Sequence, residues 1–276
     1  MSSSQSVIVQ AIGDFSPPEF HAAAELLRGP CDVVFDATPG AACERVFHAR
    51  RWPTIVVVAQ SRPGEIDATG LSRLQQLAPL ARFIALLGPW CEGEARSGAP
   101  WPGMLRTYWH QWTARWAGEL LCAGGGALPS WSHAASSPPE DRLLARVRSP
   151  RPRRPGLIAV AGGVYDTADM LCDACESLGY SACWLGRDGA RLARGVSLVI
   201  WDGLAKESQA IGQLAARFPR VPLLVALDFP RHGDTEQLRQ AGVCGVLSKP
   251  FLLEELAWHV DRAWDSPRQT ADRAVA

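Results

Sequence analysis

Hydrophobic residues in the second half of the chain fall into short unbroken runs separated by stretches of helical period. Strand-like runs read at Leu157–Ala161, Ala182–Leu185, Ser197–Trp201, Leu223–Leu227 and Gly245–Leu247. Between and after them, apolar residues recur every three to four positions near Thr167–Leu178, Ser208–Phe218, Thr235–Ala241 and Leu252–Trp264. Runs of Val, Ile and Leu without polar alternation are what strands look like when helices cover both faces. The alternation predicts a doubly wound parallel sheet, with functional groups at the carboxyl ends of its strands. The first half follows the same rhythm, with strands at Ser6–Ala11, Asp32–Phe35, Thr54–Ala59 and Arg82–Leu87. Its helices read near Pro18–Leu27, Ala41–Arg50, Gly70–Leu77 and Met104–Leu121, and no fifth strand is legible. The expected fold class is therefore α/β, with two tandem doubly wound parallel-sheet domains that look like a distant repeat.

Between the two halves the pattern stops. Residues 123–156 open on Gly124-Gly125-Gly126, pass through Ser136-Ser137-Pro138-Pro139 and end in the basic, proline-rich stretch Arg146–Pro155. Such a segment has little to bury and reads as a linker, with a short helix expected at Glu140–Val147. The organisation expected is a domain over 1–122, a linker over 123–156 and a second domain over 157–268. A chain of 276 residues, 47% apolar and 20% charged, suits two modules with real cores and excludes wholesale disorder.

Charge refines this division. Lysine plus arginine and aspartate plus glutamate both total 28, which removes the global positive field of a dedicated nucleic-acid binder. The balance is uneven along the chain: residues 1–122 carry 10 basic and 11 acidic groups, 123–156 carry 6 and 2, and 157–276 carry 12 and 15. A basic connector thus joins two mildly acidic bodies. No secretory signal and no apolar run long enough to span a membrane is read, so a cytoplasmic location is expected. The eight cysteines form no framework and read as free thiols. Their one close pair, Cys172 and Cys175, falls inside an expected helix without a second pair or a nearby histidine, which argues against zinc or redox chemistry.

Three features of the second half carry a resemblance. Asp202 ends the third strand in Ser197-Leu-Val-Ile-Trp-Asp202, Lys249 with Pro250 and Phe251 ends the fifth, and Gln237-Leu-Arg-Gln-Ala-Gly242 leads into that strand. In this order they resemble the receiver domain of bacterial response regulators, the CheY-like branch of the flavodoxin-like folds. The resemblance implies Asp202 as the phosphoacceptor equivalent and Lys249 as the receiver lysine. It also implies an acid pair after strand one to hold Mg2+, and a Ser or Thr after strand four. Here strand one runs into Gly162-Gly163, with no carboxylate before Asp166, and Leu227 stands in the hydroxyl position. Phosphoryl transfer onto a carboxylate depends on cationic neutralisation, and Mg2+ prefers carboxylate and water oxygens. The second domain is therefore expected to be a pseudo-receiver in which Asp202 and Lys249 form a standing ion pair, with Asp166 and Asp228 as the remaining carboxylates in reach. The first domain is a more distant relative: Ala59 occupies the nucleophile position, Leu87 matches Leu227, and no Lys-Pro follows.

One segment has no assigned chemistry. Residues 88–116 hold five of the eleven tryptophans. In the loop over 88–110, Trp90, Glu92, Glu94, Arg96, Trp101, Arg106 and His110 form a candidate interaction or ligand group, with Cys91 as a minor candidate nucleophile. Tyr108, Trp112 and Trp116 recur at four-residue spacing as a packing stripe.

These readings converge on a non-catalytic two-component-type signalling protein acting through protein contacts. It is not expected to be an enzyme or to hold a metal or cofactor, Mg2+ entering only if Asp202 is phosphorylated. A signalling protein is the expected partner, with a homodimer open through Trp258 and Trp264 on the last helix; nucleic acid and membrane are not expected. Two alternatives stand: a phosphoryl-accepting response regulator using Asp202, and a small-ligand or enzyme site in the 88–110 loop.

Overall fold

Ile55–Gln60 (β3) reads Ile-Val-Val-Val-Ala-Gln and is buried at every position, as a strand must be when helices cover both its faces. In the computed structural model it lies at the centre of a five-stranded parallel sheet. The structure describes residues 7–29, 31–49, 52–94, 98, 100–124, 155–186, 195–204 and 207–264. The chain divides into two units, Met1–Ala145 and Arg146–Ala276. Most of the expected linker, including its short helix at Glu140–Val147, lies outside the described residues.

In the N-terminal unit, β1 (Ile8–Ile12), α1 (His21–Arg28), β2 (Asp32–Asp36), α2 (Pro39–Ala49), β3, α3 (Ala68–Leu77), β4 (Arg82–Leu87), β5 (Leu105–Tyr108) and α4 (Trp109–Gly124) follow in order. The strands pair in the order β2-β1-β3-β4-β5, all parallel. One face packs Val9, Ala11, Val57 and Leu86 with Phe20, Leu27, Trp112 and Trp116; the other packs Ile12, Val56 and Val58 with Val46, Leu71 and Leu74. The fifth strand, not legible in the sequence, is β5. The helical period places Leu105–Tyr108 at the start of the helix expected near Met104–Leu121, but these residues pair as a strand and the helix begins only at Trp109. Tyr108 accordingly lies on a strand, and the packing stripe of α4 is Trp109, Trp112 and Trp116, all buried. Trp112 and Trp116 stack with ring centroids 5.1 Å apart.

The C-terminal unit repeats the plan. β6 (Leu157–Gly162), α5 (Tyr165–Ser177), β7 (Ser181–Trp184), β8 (Val196–Gly203), α6 (Ser208–Arg217), β9 (Leu223–Asp228), α7 (His232–Gln240), β10 (Gly245–Lys249) and α8 (Leu253–Trp264) build a parallel sheet in the order β10-β9-β8-β6-β7. Counted from each unit's first strand, both sheets have the order 2-1-3-4-5, so the fold is two doubly wound domains. Asp234 caps α7 by accepting from the Arg231 backbone N–H at 2.9 Å. On α8, Leu256, Val260, Ala263 and Trp264 face the core. Trp264, expected at a partner surface, is 2% exposed and packs on Tyr180. Its spacing of eight residues from Leu256 returns it to the buried stripe.

Candidate functional site

Asp202 stands one residue before the end of β8, flanked in register by Gly162 on β6 and Ala226 on β9. Two small neighbours leave its carboxylate room at the carboxyl end of the sheet, yet the residue is only 3% exposed. Lys249, the last residue of β10, lies two strands away. Neighbouring strands stand about 4.8 Å apart, so only a long side chain spans the gap across β9. Its Nζ reaches Asp202 Oδ1 at 2.6 Å and Asp228 Oδ1 at 3.2 Å. Asp228 sits beside Lys249 because the two are register partners on β9 and β10. The ammonium is thus held between one buried carboxylate and one exposed one. Burial acts to lower the Lys249 pKa, but hydrogen bonding and attraction from Asp202, and then from Asp228, outweigh it and leave the pKa raised.

The glycines after β6 complete the arrangement. Gly162 (φ +79°) and Gly163 (φ +61°) occupy the left-handed region, where other residues are strained. A Cβ on Gly163 would overlap Asp202 Oδ2, and one on Gly162 would overlap the Asp202 carbonyl oxygen. The positions where a receiver carries its acid pair are therefore filled by backbone on which Asp202 rests. This bears on Mg2+, the ion that the receiver resemblance implies. A hard cation needs several oxygen ligands; Gly162 and Gly163 bring no carboxylate, and Asp202 Oδ1 already accepts from Lys249. Among the described residues no group of three or more His, Cys, Asp and Glu side chains could hold a metal ion. The residues present do not fit the ion. Leu227, in the hydroxyl position, is fully buried in the core.

In the N-terminal domain the matching register positions carry no charged side chain. Ala59 is the register counterpart of Asp202, since Val58 pairs with Ile12 and Ala59 with Leu86. Tyr108 pairs with Leu87 as Ser248 pairs with Leu227, which puts Trp109 where Lys249 stands. Sequence reasoning missed one polar group here. Asp36, buried at the end of β2, takes a two-pronged contact from Arg45 on α2 (2.8 and 3.2 Å) and a hydrogen bond from Gln10 Nε2 at 2.8 Å. It ties β1, β2 and α2 together; aspartate at a strand end followed by arginine nine residues on was its only trace.

The tryptophan-rich loop proves to be a cover for β4 and β5. Its described residues between these strands include one short 3-10 turn, Pro89–Cys91. Glu94 faces Arg106 at 3.5 Å, and Glu92 faces His110 at 3.6 Å. Tyr108 Oη donates to the Glu92 carbonyl at 3.3 Å and its ring stacks on His110, while Gln75 Nε2 on α3 donates to the Pro102 carbonyl at 3.0 Å. Trp101 packs against the core with Met104. Trp90 remains 59% exposed beneath the Arg62 guanidinium, and Arg96 lies outside the described residues. Six of the seven candidate residues of the loop are thus placed, and four of them face one another as acid–base pairs.

Burial works against thiolate formation at several of the cysteines. Burial pushes the Cys91 thiol up to about 11, the reverse of what a nucleophile needs. The same cause raises Cys172 to about 11 and Cys175 to about 12. With iodoacetamide at about pH 8, where thiolate fraction controls the rate, exposed Cys244 is expected to alkylate well before Cys91 and Cys175. Peptide mass mapping over time checks the order; early modification of Cys91 would contradict it.

No family model matches the chain, and no curated protein matches it. Among solved structures it is similar to NtrX from Brucella abortus, solved in complex with ADP, at 16% identity over 44% of this chain and 29% of that one, with a TM-score of 0.39. It is also similar to a response regulator receiver protein from Pseudoalteromonas atlantica, at 14% identity over 39% of this chain and 95% of that one, TM-score 0.35. A third is a putative pilus assembly-related protein from Burkholderia pseudomallei, at 23% identity over 39% of this chain and 88% of that one, TM-score 0.36. Each likeness spans about two-fifths of the chain, the extent of one domain. The fold itself rests on the strand order and registers above. Among the described residues, no helix is long and apolar enough to cross a membrane.

Proposed function

We propose that this is a non-catalytic signalling protein, built from two receiver-like domains, that acts through protein contacts rather than by accepting a phosphoryl group. The observation that carries the proposal is the occupancy of Asp202: Lys249 holds one carboxylate oxygen, and the Gly163 backbone lies against the other. A phosphoryl donor approaching this carboxylate brings negative charge that Lys249 alone would have to neutralise, because Gly162 and Gly163 offer no carboxylate to hold a divalent cation, and such neutralisation is most of the catalysis in phosphoryl transfer. The N-terminal domain, with buried Ala59 at the matching position, has no acceptor there. What remains of the site is a fixed ion pair. Pairs of this kind contribute little net stability beside an apolar replacement, and their use is in holding register: here Lys249 ties the ends of β8, β9 and β10.

Incubation with acetyl phosphate and Mg2+ tests this directly. Intact mass is expected to be unchanged, for wild type and for Asp202→Asn alike. An added phosphoryl mass in wild type that is missing from Asp202→Asn would instead establish Asp202 as an acceptor.

A further inference from the structure

Exposed large apolar side chains in the C-terminal domain are concentrated at one end. Val164 and Tyr165 follow β6, Trp184 ends β7, Leu204 follows β8, Phe229 follows β9, and Leu252 with Leu253 follows β10; all are at least 38% exposed. They make up seven of the eight such side chains among the described residues of this domain, Met170 on α5 being the eighth. Scattered exposed apolar residues need no explanation, but a contiguous group does. The sheet order sets these in a row above β10-β9-β8-β6-β7, and the Tyr165 and Trp184 rings touch edge to face at 5.3 Å. At the same end of the N-terminal domain, Trp90 is the one large apolar side chain among the described residues that follows a strand and is exposed.

Phe229 adds a separate observation. It holds φ +46° and is the one non-glycine residue with positive φ among the described residues. A bulky aromatic in that region is strained, and glycine or asparagine would adopt it at lower cost. Strain of this kind is retained where surrounding structure fixes it and the position is used. Here the preceding residue, Asp228, is anchored on Lys249, and the phenyl ring stands 54% exposed in the row.

We infer that this row is a docking surface for an amphipathic helix of a partner protein, with arginine or lysine flanking the helix's apolar face. The row crosses the strand ends, where no edge ladder of N–H and C=O groups is presented. Its occupant must satisfy its own backbone, and a helix does so. Five strands span about 19 Å, the length of a helix of about 13 residues. Charge selects the flanks: Asp202 and Asp228 outnumber Lys249 in the ion cluster, Asp166 is exposed in the first turn of α5, and the charge of exposed Arg231 is matched in number by Asp234, whose carboxylate accepts from the Arg231 backbone N–H. Tyr and Trp at one end of the row supply the aromatic anchors common at binding hot spots.

The inference rests on the protein-contact reading above and names the partner's chemistry. The probe is a fluorescent peptide of about 18 residues with leucines at helical spacing and lysines elsewhere, titrated into the full chain by anisotropy. A leucine–glutamate counterpart is the control. The lysine peptide is expected to bind at least about tenfold more tightly than the glutamate peptide. Phe229→Ser and Leu204→Ser are each expected to weaken it by about tenfold, with Met170→Ser unchanged. Equal binding of both peptides, or rim variants that bind like wild type, would overturn the inference. So would a dimer seen by sedimentation that Phe229→Ser dissolves, since the row would then belong to a second copy. A phosphoryl adduct on Asp202 defeats the protein-contact reading whatever the peptides do; failure of the peptides without an adduct defeats the docking surface alone.

Discussion

Gly162→Ala is expected to destabilise the C-terminal domain by about 4 kcal/mol, combining about 1–2 for a left-handed residue with a Cβ and about 1–3 for overpacking. Both terms act together because the new methyl would point at the backbone carbonyl of Asp202, which the β6–β8 ladder holds in place. A flexible side chain could swing aside; a ladder carbonyl cannot without parting β6 from β8. Urea denaturation followed by tryptophan fluorescence measures the effect, as a lowered midpoint with unchanged slope. A change below about 1 kcal/mol would mean that the turn after β6 relaxes freely. The same geometry bears on attempts to rebuild a metal site. Placing an aspartate at Gly163 would drive its Cβ into the Asp202 carboxylate, so the expected result is a weakened domain and still no phosphoryl adduct.

Lys249→Met is the second large effect. Removing the ammonium leaves Asp202, 3% exposed, without its cation, and breaking a buried pair from one side costs about 3 kcal/mol or more. Neutralising both partners, in Asp202→Asn with Lys249→Met, removes the stranded charge and is expected to recover most of that loss. A double-mutant cycle in urea checks this; additive losses would show that the two groups are not coupled. The pH dependence has a definite sign. Lys249 has its pKa raised on folding, so its contribution is fully present below the unfolded lysine value of about 10.4 and is lost as pH rises through the higher folded value. Wild type should therefore lose stability on the alkaline side of about pH 10.4, and Lys249→Met should lose less over that range.

Much of this architecture can be read from the chain because uninterrupted Val, Ile and Leu runs leave little choice but strands covered on both faces. β5 escaped for the opposite reason. Leu105-Arg-Thr-Tyr108 is four residues long, half polar, and runs without a break into the helix starting at Trp109, whose apolar period absorbs it. Pro102-Gly103, just before it, was the available signal of a new element. Asp202 and Lys249 were legible from their places at strand ends, but the second contact, to Asp228, depends on the β9–β10 register, which no local pattern encodes. Gly162 and Gly163 read in the sequence as the loss of two acids; that Asp202 packs against them emerges only in three dimensions. The apolar row was invisible for a similar reason, since Val164, Leu204 and Phe229 are isolated loop residues until strand order sets them side by side.

The stacked indoles of Trp112 and Trp116 have an optical consequence. Two indoles 5.1 Å apart inside a core, with planes inclined by 14°, are close enough to couple their transitions, and any skew between the transition moments makes the pair optically active. The N-terminal domain thereby carries its own circular-dichroism signature, set by a single turn of α4. It is a built-in gauge of that domain's packing, distinct from the other domain, where Trp184 and Trp264 lie against tyrosines rather than against a second indole.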